Sequence, residues 1–185
     1  MKYVLLIFVV INVSSCGNQS KNECAHPFAF DKATHYRLAL PDSIVSDAYD
    51  FYFKEANSNQ APEQDLRFNR EALAIAFDNS MSKQSDKSKV KSLAGIGFQR
   101  TEILKSRFAI LDSMFCYLNQ EPTEVAACEP IYRDLIVFEK DNKIIGWVKI
   151  CLDCGISEIV GSKYKYNGMT YSVGVGKLDV VLGKE

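Results

Sequence analysis

Histidine is almost missing from this 185-residue chain, with only His26 and His35, both early. Histidine-based triads and zinc-peptidase motifs therefore have little to work with. Proline is sparse as well, and all five (Pro27, Pro41, Pro62, Pro122, Pro130) precede the one CxxC motif, Cys151-Leu152-Asp153-Cys154. No cis-proline loop can follow that motif. The run from Gly155 to Val160 does not read as a helix whose dipole would lower a thiol pKa, so a thioredoxin fold is disfavoured. No histidine follows Cys154, which excludes haem attachment. GxSxG, P-loop and GxGxxG patterns are absent, and Gly174-Val175-Gly176-Lys177-Leu178 fails both glycine patterns. Charge of one sign is lacking: 22 basic side chains stand against 23 acidic ones, so nothing steers the chain onto nucleic acid or an anionic membrane surface. No apolar run reaches the roughly 20 residues of a membrane span.

What the first residues do contain is an export pattern. Lys2 is followed by an apolar run from Tyr3 to Val13 and then Val13-Ser14-Ser15-Cys16. A basic residue, a short apolar core and small residues before a cut describe a signal peptide. Val-Ser-Ser-Cys resembles the lipobox of bacterial lipoproteins, which implies that residues 1–15 are removed and that Cys16 carries the lipid. Several acyl chains on one residue make such anchoring stable. Gly17 after the cysteine resembles export to the outer membrane more than inner-membrane retention. An ordinary signal peptide with a chance cysteine is the blander alternative. Residues 16–27 are polar and read as a tether containing Cys24 and His26. Residues 28–185 are one domain's worth, long enough for a core that needs no metal or disulfide.

Along the domain, Phe28–Asp31 and Tyr36–Leu40 read as short strands split by a polar turn at Lys32-Ala33-Thr34. Asp42 or Ser43 would cap a helix whose apolar face is Ile44, Val45, Ala48, Phe51 and Tyr52. Leu66–Asp78 is ambiguous: Leu73, Ile75 and Phe77 alternate like a strand, while Glu71 and three alanines favour a helix, and strand is preferred. Asn79–Lys91, four lysines among serines, reads as a solvated connection. A phosphate-binding patch is the minority reading, because no aromatic residues are interleaved for stacking. Leu104, Phe108, Leu111, Phe115 and Leu118 recur at helical spacing and predict a core-packing helix over about 105–119, with Cys116 beside the stripe.

The most tightly specified stretch is Cys128 to Cys154. Two apolar runs, Ile131–Phe138 and Ile144–Ile150, flank Lys140-Asp141-Asn142-Lys143 and predict a hairpin turning at Asp141-Asn142. That register places Ile136 opposite Trp147, Phe138 opposite Ile145, Asp134 opposite Lys149 and Cys151 opposite Tyr132. Apolar residues fall on both faces, so the hairpin belongs in the middle of its sheet. Arg133, Asp134 and Lys149 could form a charged site, although a cross-strand salt bridge is the commoner explanation. Gly155–Val160 reads as a further strand, 161–168 as a loop, and Val173–Leu182 as a final helix. The expectation is an α+β single domain, its mixed or mainly antiparallel sheet centred on hairpin 131–150 with helix 105–119 packed on it.

The same register brings Cys128, Cys151 and Cys154 to one end of the hairpin. Exported proteins meet oxidising conditions, so a structural disulfide (Cys128 with Cys154 or Cys151) comes first. A soft-metal site comes second, with Cys128, Cys151 and Cys154 joined by Cys116 or His26 around zinc. Disulfide exchange comes third. Either function for Cys151 with Cys154 needs a turn over Leu152–Gly155, which Asp153 and Gly155 make plausible.

Cys128-x-Pro130-Ile131-Tyr132-Arg133-Asp134, Val137-Phe138, Lys143-Ile144-x-Gly146 and Lys149-Ile150-Cys151-x-x-Cys154 resemble a group of small envelope lipoproteins of Bacteroidetes. With Thr101–Leu104 and the helix after it, the resemblance covers about residues 98–156. It implies location and shared cysteines but no reaction. The functional expectation is a lipid-anchored, non-enzymatic binding or structural module with a disulfide-stabilised hairpin and no cofactor. Its partners would be the membrane, through the lipid, and a protein or small molecule. The alternative is a thiol site that binds zinc or another soft metal, or exchanges disulfides.

Overall fold

A computed structural model describes residues 28–57, 69–78, 80–115, 129–161, 168–171 and 177–183. The stretches expected as an export signal and a tether, with Cys16, Cys24 and His26, lie outside these residues, as do Cys116 and Cys128.

The two apolar runs of the predicted hairpin form β3 (Asp134–Lys140) and β4 (Lys143–Cys151). Around them stand β1 (Lys32–Leu38), β2 (Phe98–Glu102), β5 (Ile156–Val160) and β6 (Gly168–Tyr171). The sheet order is β2-β1-β3-β4-β5-β6 and every pairing is antiparallel. The hairpin is therefore central. Both of its faces must be covered, which explains why its strands are almost continuously apolar.

Leu38, Phe98, Leu135, Val137, Trp147 and Val160 face one layer, made by α1 (Val45–Asn57), α2 (Arg70–Phe77) and a 3-10 helix over Gln84–Ile96. Ala33, Ile136, Phe138, Val148, Ile150 and Ile159 face the other. There α3 (Phe108–Met114), α4 (Leu178–Leu182) and the Phe28 ring close the core. The chain is thus an α+β domain with helices on both faces of one antiparallel sheet.

Several local expectations are corrected. Phe28–Asp31 and Tyr36–Leu40 are not two strands: β1 runs through Lys32-Ala33-Thr34, where Lys32 pairs with Glu139 at 2.8 Å and Thr34 is buried. The stretch expected as a strand before Asp78 is α2. Asn69 caps it, its side chain accepting from the backbone N–H groups of Glu71 and Ala72, which supplies two otherwise orphaned donors with a partner. The alternation of Leu73, Ile75 and Phe77 misleads because Ala72 and Ala76 are buried too. This helix is packed nearly all round.

Residues 84–96, of which 84–91 are expected as a solvated connection, form the 3-10 helix, with Val90 and Leu93 turned inward. The α-helix does not begin directly after Asp42 or Ser43: a 3-10 turn over Asp42–Ile44 leads into α1. In the predicted helix 105–119, Lys105–Arg107 is a 3-10 turn and α3 covers Phe108–Met114. Leu111, Met114 and Phe115 are buried, but Leu104 falls before the helix and is 65% exposed. The stretch read as a loop after Val160 ends in β6, which begins at Gly168.

The expected hairpin register holds only beside the turn. Asp141 and Asn142 form the turn, with φ of 50° and 59°, and Lys140 pairs with Lys143 and Glu139 with Ile144. Then a bulge intervenes: Phe138 pairs with Gly146 and leaves Ile145 as the extra residue. Beyond it Ile136 pairs with Val148, Val137 with Trp147 and Asp134 with Ile150, one place from the predicted pairs. Gly146 is where the Phe28 ring lies on the sheet, stacked on Phe138 at 4.4 Å between centroids. A Cβ at 146 would collide with the Phe28 ring and the Val160 carbonyl oxygen.

Candidate functional site at the closing end of the hairpin

Cys151 is the last residue of β4 and pairs with Ile156 across the β4–β5 turn. It is not opposite Tyr132, because the bulge has shifted β4 and because β3 begins only at Asp134. The expected turn at Leu152–Gly155 is present. Gly155 takes φ of 63°, a conformation that costs other residues energy, and its N–H donates to the Leu152 carbonyl at 3.2 Å.

This turn brings the two cysteines of the motif together. The Cys154 N–H donates to Cys151 Sγ at 3.4 Å. The two sulfurs have different surroundings. Cys151 is buried and is a free thiol. Cys154 is partly exposed and is not free. Its sulfur lies 3.7 Å from the carbonyl oxygen of Glu129, the first described residue after Cys128.

The three charged residues expected as one site are separated. Arg133 bonds Asp42 and also the Leu40 carbonyl at 3.3 Å, and this guanidinium holds the Asp42 carboxyl below its ordinary range. Asp134 turns to the α3/α4 side. There it stands 2.7 Å from Nε2 of His35, and it accepts from Arg37 at 3.1 and 3.2 Å. His35 and Asp134 are both buried. No motif in the sequence marks His35 as a partner of Asp134. The available signal was Asp134 itself, since a carboxylate at the start of a buried strand needs a counter-charge or donors.

Lys149 turns to the α2 side, directly opposite Glu158 of β5. Its ammonium, with no exposed surface, reaches Glu158 Oε2 at 2.8 Å, the carbonyls of Asp78 and Ser80 at 3.2 Å each, and Ser82 Oγ at 3.4 Å. It also lies 4.5 Å from the centre of the Tyr132 ring. Burial pulls its pKa down, while Glu158 opposes that shift. Four acceptors share three N–H groups, so this amine is committed. It ties the segment Asp78–Ser82 to the sheet and is not an available base or nucleophile.

Trp147 adds a second tie to the same segment, its Nε1–H donating to the Met81 carbonyl at 2.7 Å. Tyr132 completes the neighbourhood: its N–H donates to Ala76 of α2 at 2.8 Å, while its buried hydroxyl has no hydrogen-bond partner. Burial, with Glu158 and Cys151 nearby, pushes that hydroxyl's pKa well up.

Among the described residues no three of His, Cys, Asp and Glu converge as a metal-binding group. Of the thiols proposed for zinc, only Cys151 and Cys154 fall within the described chain. The Cys154 N–H is aimed at Cys151 Sγ, but Cys154 is not free, and Cys116 and Cys128 lie outside the described residues. No helix among the described residues is long and apolar enough to cross a membrane. No family model, curated protein or solved structure matches this chain.

Proposed function

We propose that this is a lipid-anchored protein of the bacterial cell envelope, attached through Cys16 and bound for the outer membrane. In this reading its domain is a non-enzymatic binding or structural module whose central hairpin is closed by a disulfide between Cys128 and Cys154. The observation that carries the pairing is the contrast within the CxxC motif. Cys151 is a buried free thiol, Cys154 is not free, and Glu129, next to Cys128, touches the Cys154 sulfur. A bridge there would tie the approach to β3 to the turn after β4, closing a loop of about the hairpin's length, which restricts the unfolded chain. The committed state of Lys149, Asp134 and Arg133 supports the non-enzymatic part: each charge is occupied in holding the fold.

The test is intact mass of the oxidised protein with thiol alkylation before and after reduction. The expected result is a bridge peptide linking Cys128 to Cys154, with Cys151 alkylated only on unfolding. A Cys151–Cys154 bridge would overturn the pairing.

The Cys154 N–H bond to Cys151 Sγ favours one second reading, a thiol site for zinc or another soft metal, because such a donor stabilises thiolate charge. That reading expects reduced Cys128, Cys151 and Cys154, reactive only after chelation, and native mass raised by a bound ion. The same experiment separates the two.

A further inference from the structure

We propose that the outer edge of β2 is a self-association surface, on which a second copy of this chain pairs antiparallel to extend the sheet. β2 ends the strand order, and among the described residues nothing pairs with its outer side. On its inner side the Ala39 N–H donates to the Gly97 carbonyl and the Ile103 N–H to the Ala33 carbonyl. β1 therefore takes the main-chain groups of the odd-numbered residues, and those of Phe98, Arg100 and Glu102 point outward. Gln99, Arg100, Thr101 and Glu102 are all exposed, so neither layer of helices covers this strand.

Charge chooses the occupant and the register. Outward-pointing residues must pair with one another across a two-fold axis. Centring the pair on Arg100 or on Glu102 sets like charges opposite each other, which is unfavourable. Centring it on Thr101 sets Arg100 opposite Glu102 of the second copy, twice by symmetry, and Thr101 opposite Thr101. It also carries Leu104, the most exposed large apolar side chain among the described residues, to the Phe98 end of the other strand. The same strand is thus its own complement. A pairing this short belongs to the small, transient class of interfaces.

The test is oxidative cross-linking of the full chain in the membranes of cells that make it. Thr101→Cys would put two thiols at a non-hydrogen-bonded pair, about 4.5 Å apart at Cα and within disulfide range. Gln99→Cys, its control, would leave its two thiols about 13 Å apart. Both positions are exposed, so neither substitution disturbs the core. We expect a covalent dimer from Thr101→Cys alone. Arg100→Glu added to it should lower the yield about tenfold, and Arg100→Glu with Glu102→Arg should restore it. Equal yields from the two cysteine variants, no dimer from either, or failure of the charge swap to restore it would overturn the proposal. So would a cross-link from Cys at 101 to a protein of another mass, which would mark the edge as a site for a foreign strand.

Discussion

Asp134 and Lys149 sit on adjacent strands of one hairpin and face opposite sides of the sheet. Counted from the turn they should oppose each other, yet the bulge at Phe138/Glu139 moves one strand by a residue, and a one-residue slip reverses a side chain's face. Two charges that look like one salt bridge become the centres of two buried clusters. Asp134 joins His35 and Arg37, and Lys149 joins Glu158 and the Asp78–Ser82 carbonyls.

Removing one partner of the Lys149 pair should be costly. Lys149→Ala strands Glu158 and is expected to lower the unfolding free energy by about 3–5 kcal/mol. Lys149→Met with Glu158→Gln should recover much of that loss, because no uncompensated charge stays behind. Urea midpoints of the two variants check this, and a double variant no better than the single one would contradict it.

Tyr132→Phe should stabilise the fold or leave it unchanged, since the hydroxyl is buried without a partner. Its pKa is raised above the ordinary 10.0, so the stability linked to its protonated state is present below pH 10 and is lost as pH climbs toward the folded value. Lys149 has the opposite sign, because its lowered pKa makes stability rise as pH approaches 10.5. Melting curves from pH 8 to 11 should therefore fall less steeply at the alkaline end for Tyr132→Phe than for the native chain.

Gly146→Ala should cost about 1–3 kcal/mol or more, because the added carbon meets the Phe28 ring and the Val160 backbone, and backbone cannot yield cheaply. Asn142→Gly should do the reverse by a few tenths to about 1 kcal/mol, relieving a left-handed position at the hairpin turn. Thermal midpoints that moved in the same direction would be inconsistent with this account of the hairpin.

Cys128→Ala is expected to cost about 2–5 kcal/mol under oxidising conditions and nothing in reductant. Cys151→Ser should be destabilising in both, because it places a hydroxyl in the buried position of a thiol. An unchanged melting temperature for Cys128→Ala in the absence of reductant would remove the staple.

Cys16→Ser should abolish labelling of the protein by radioactive palmitate in a bacterial host and release it from the membrane fraction. Labelling that persists in the variant would place the lipid elsewhere.

The hairpin turn and the central position of the hairpin were legible because each is written in a short window. A turn at Asp141-Asn142 needs only two residues that tolerate positive φ, and burial on both faces needs only unbroken apolar strands. The turn at Leu152–Gly155 was legible in the same way. The misread elements are those whose surroundings decide them. Leu73, Ile75 and Phe77 alternate whether α2 is a strand or a helix buried nearly all round, and the Asn69 cap tips the balance toward helix.

The sequence by itself determined an α+β chain and a central hairpin that turns at Asp141-Asn142. These follow from local patterns of polarity and turn chemistry. Only the tertiary structure decided which residues meet. The bulge that accommodates Phe28 over Gly146 sets the register of everything beyond it, sending Asp134 to His35 and Lys149 to Glu158. A bulge of one residue is a packing event between distant parts of the chain, and no window along the sequence contains both of its causes.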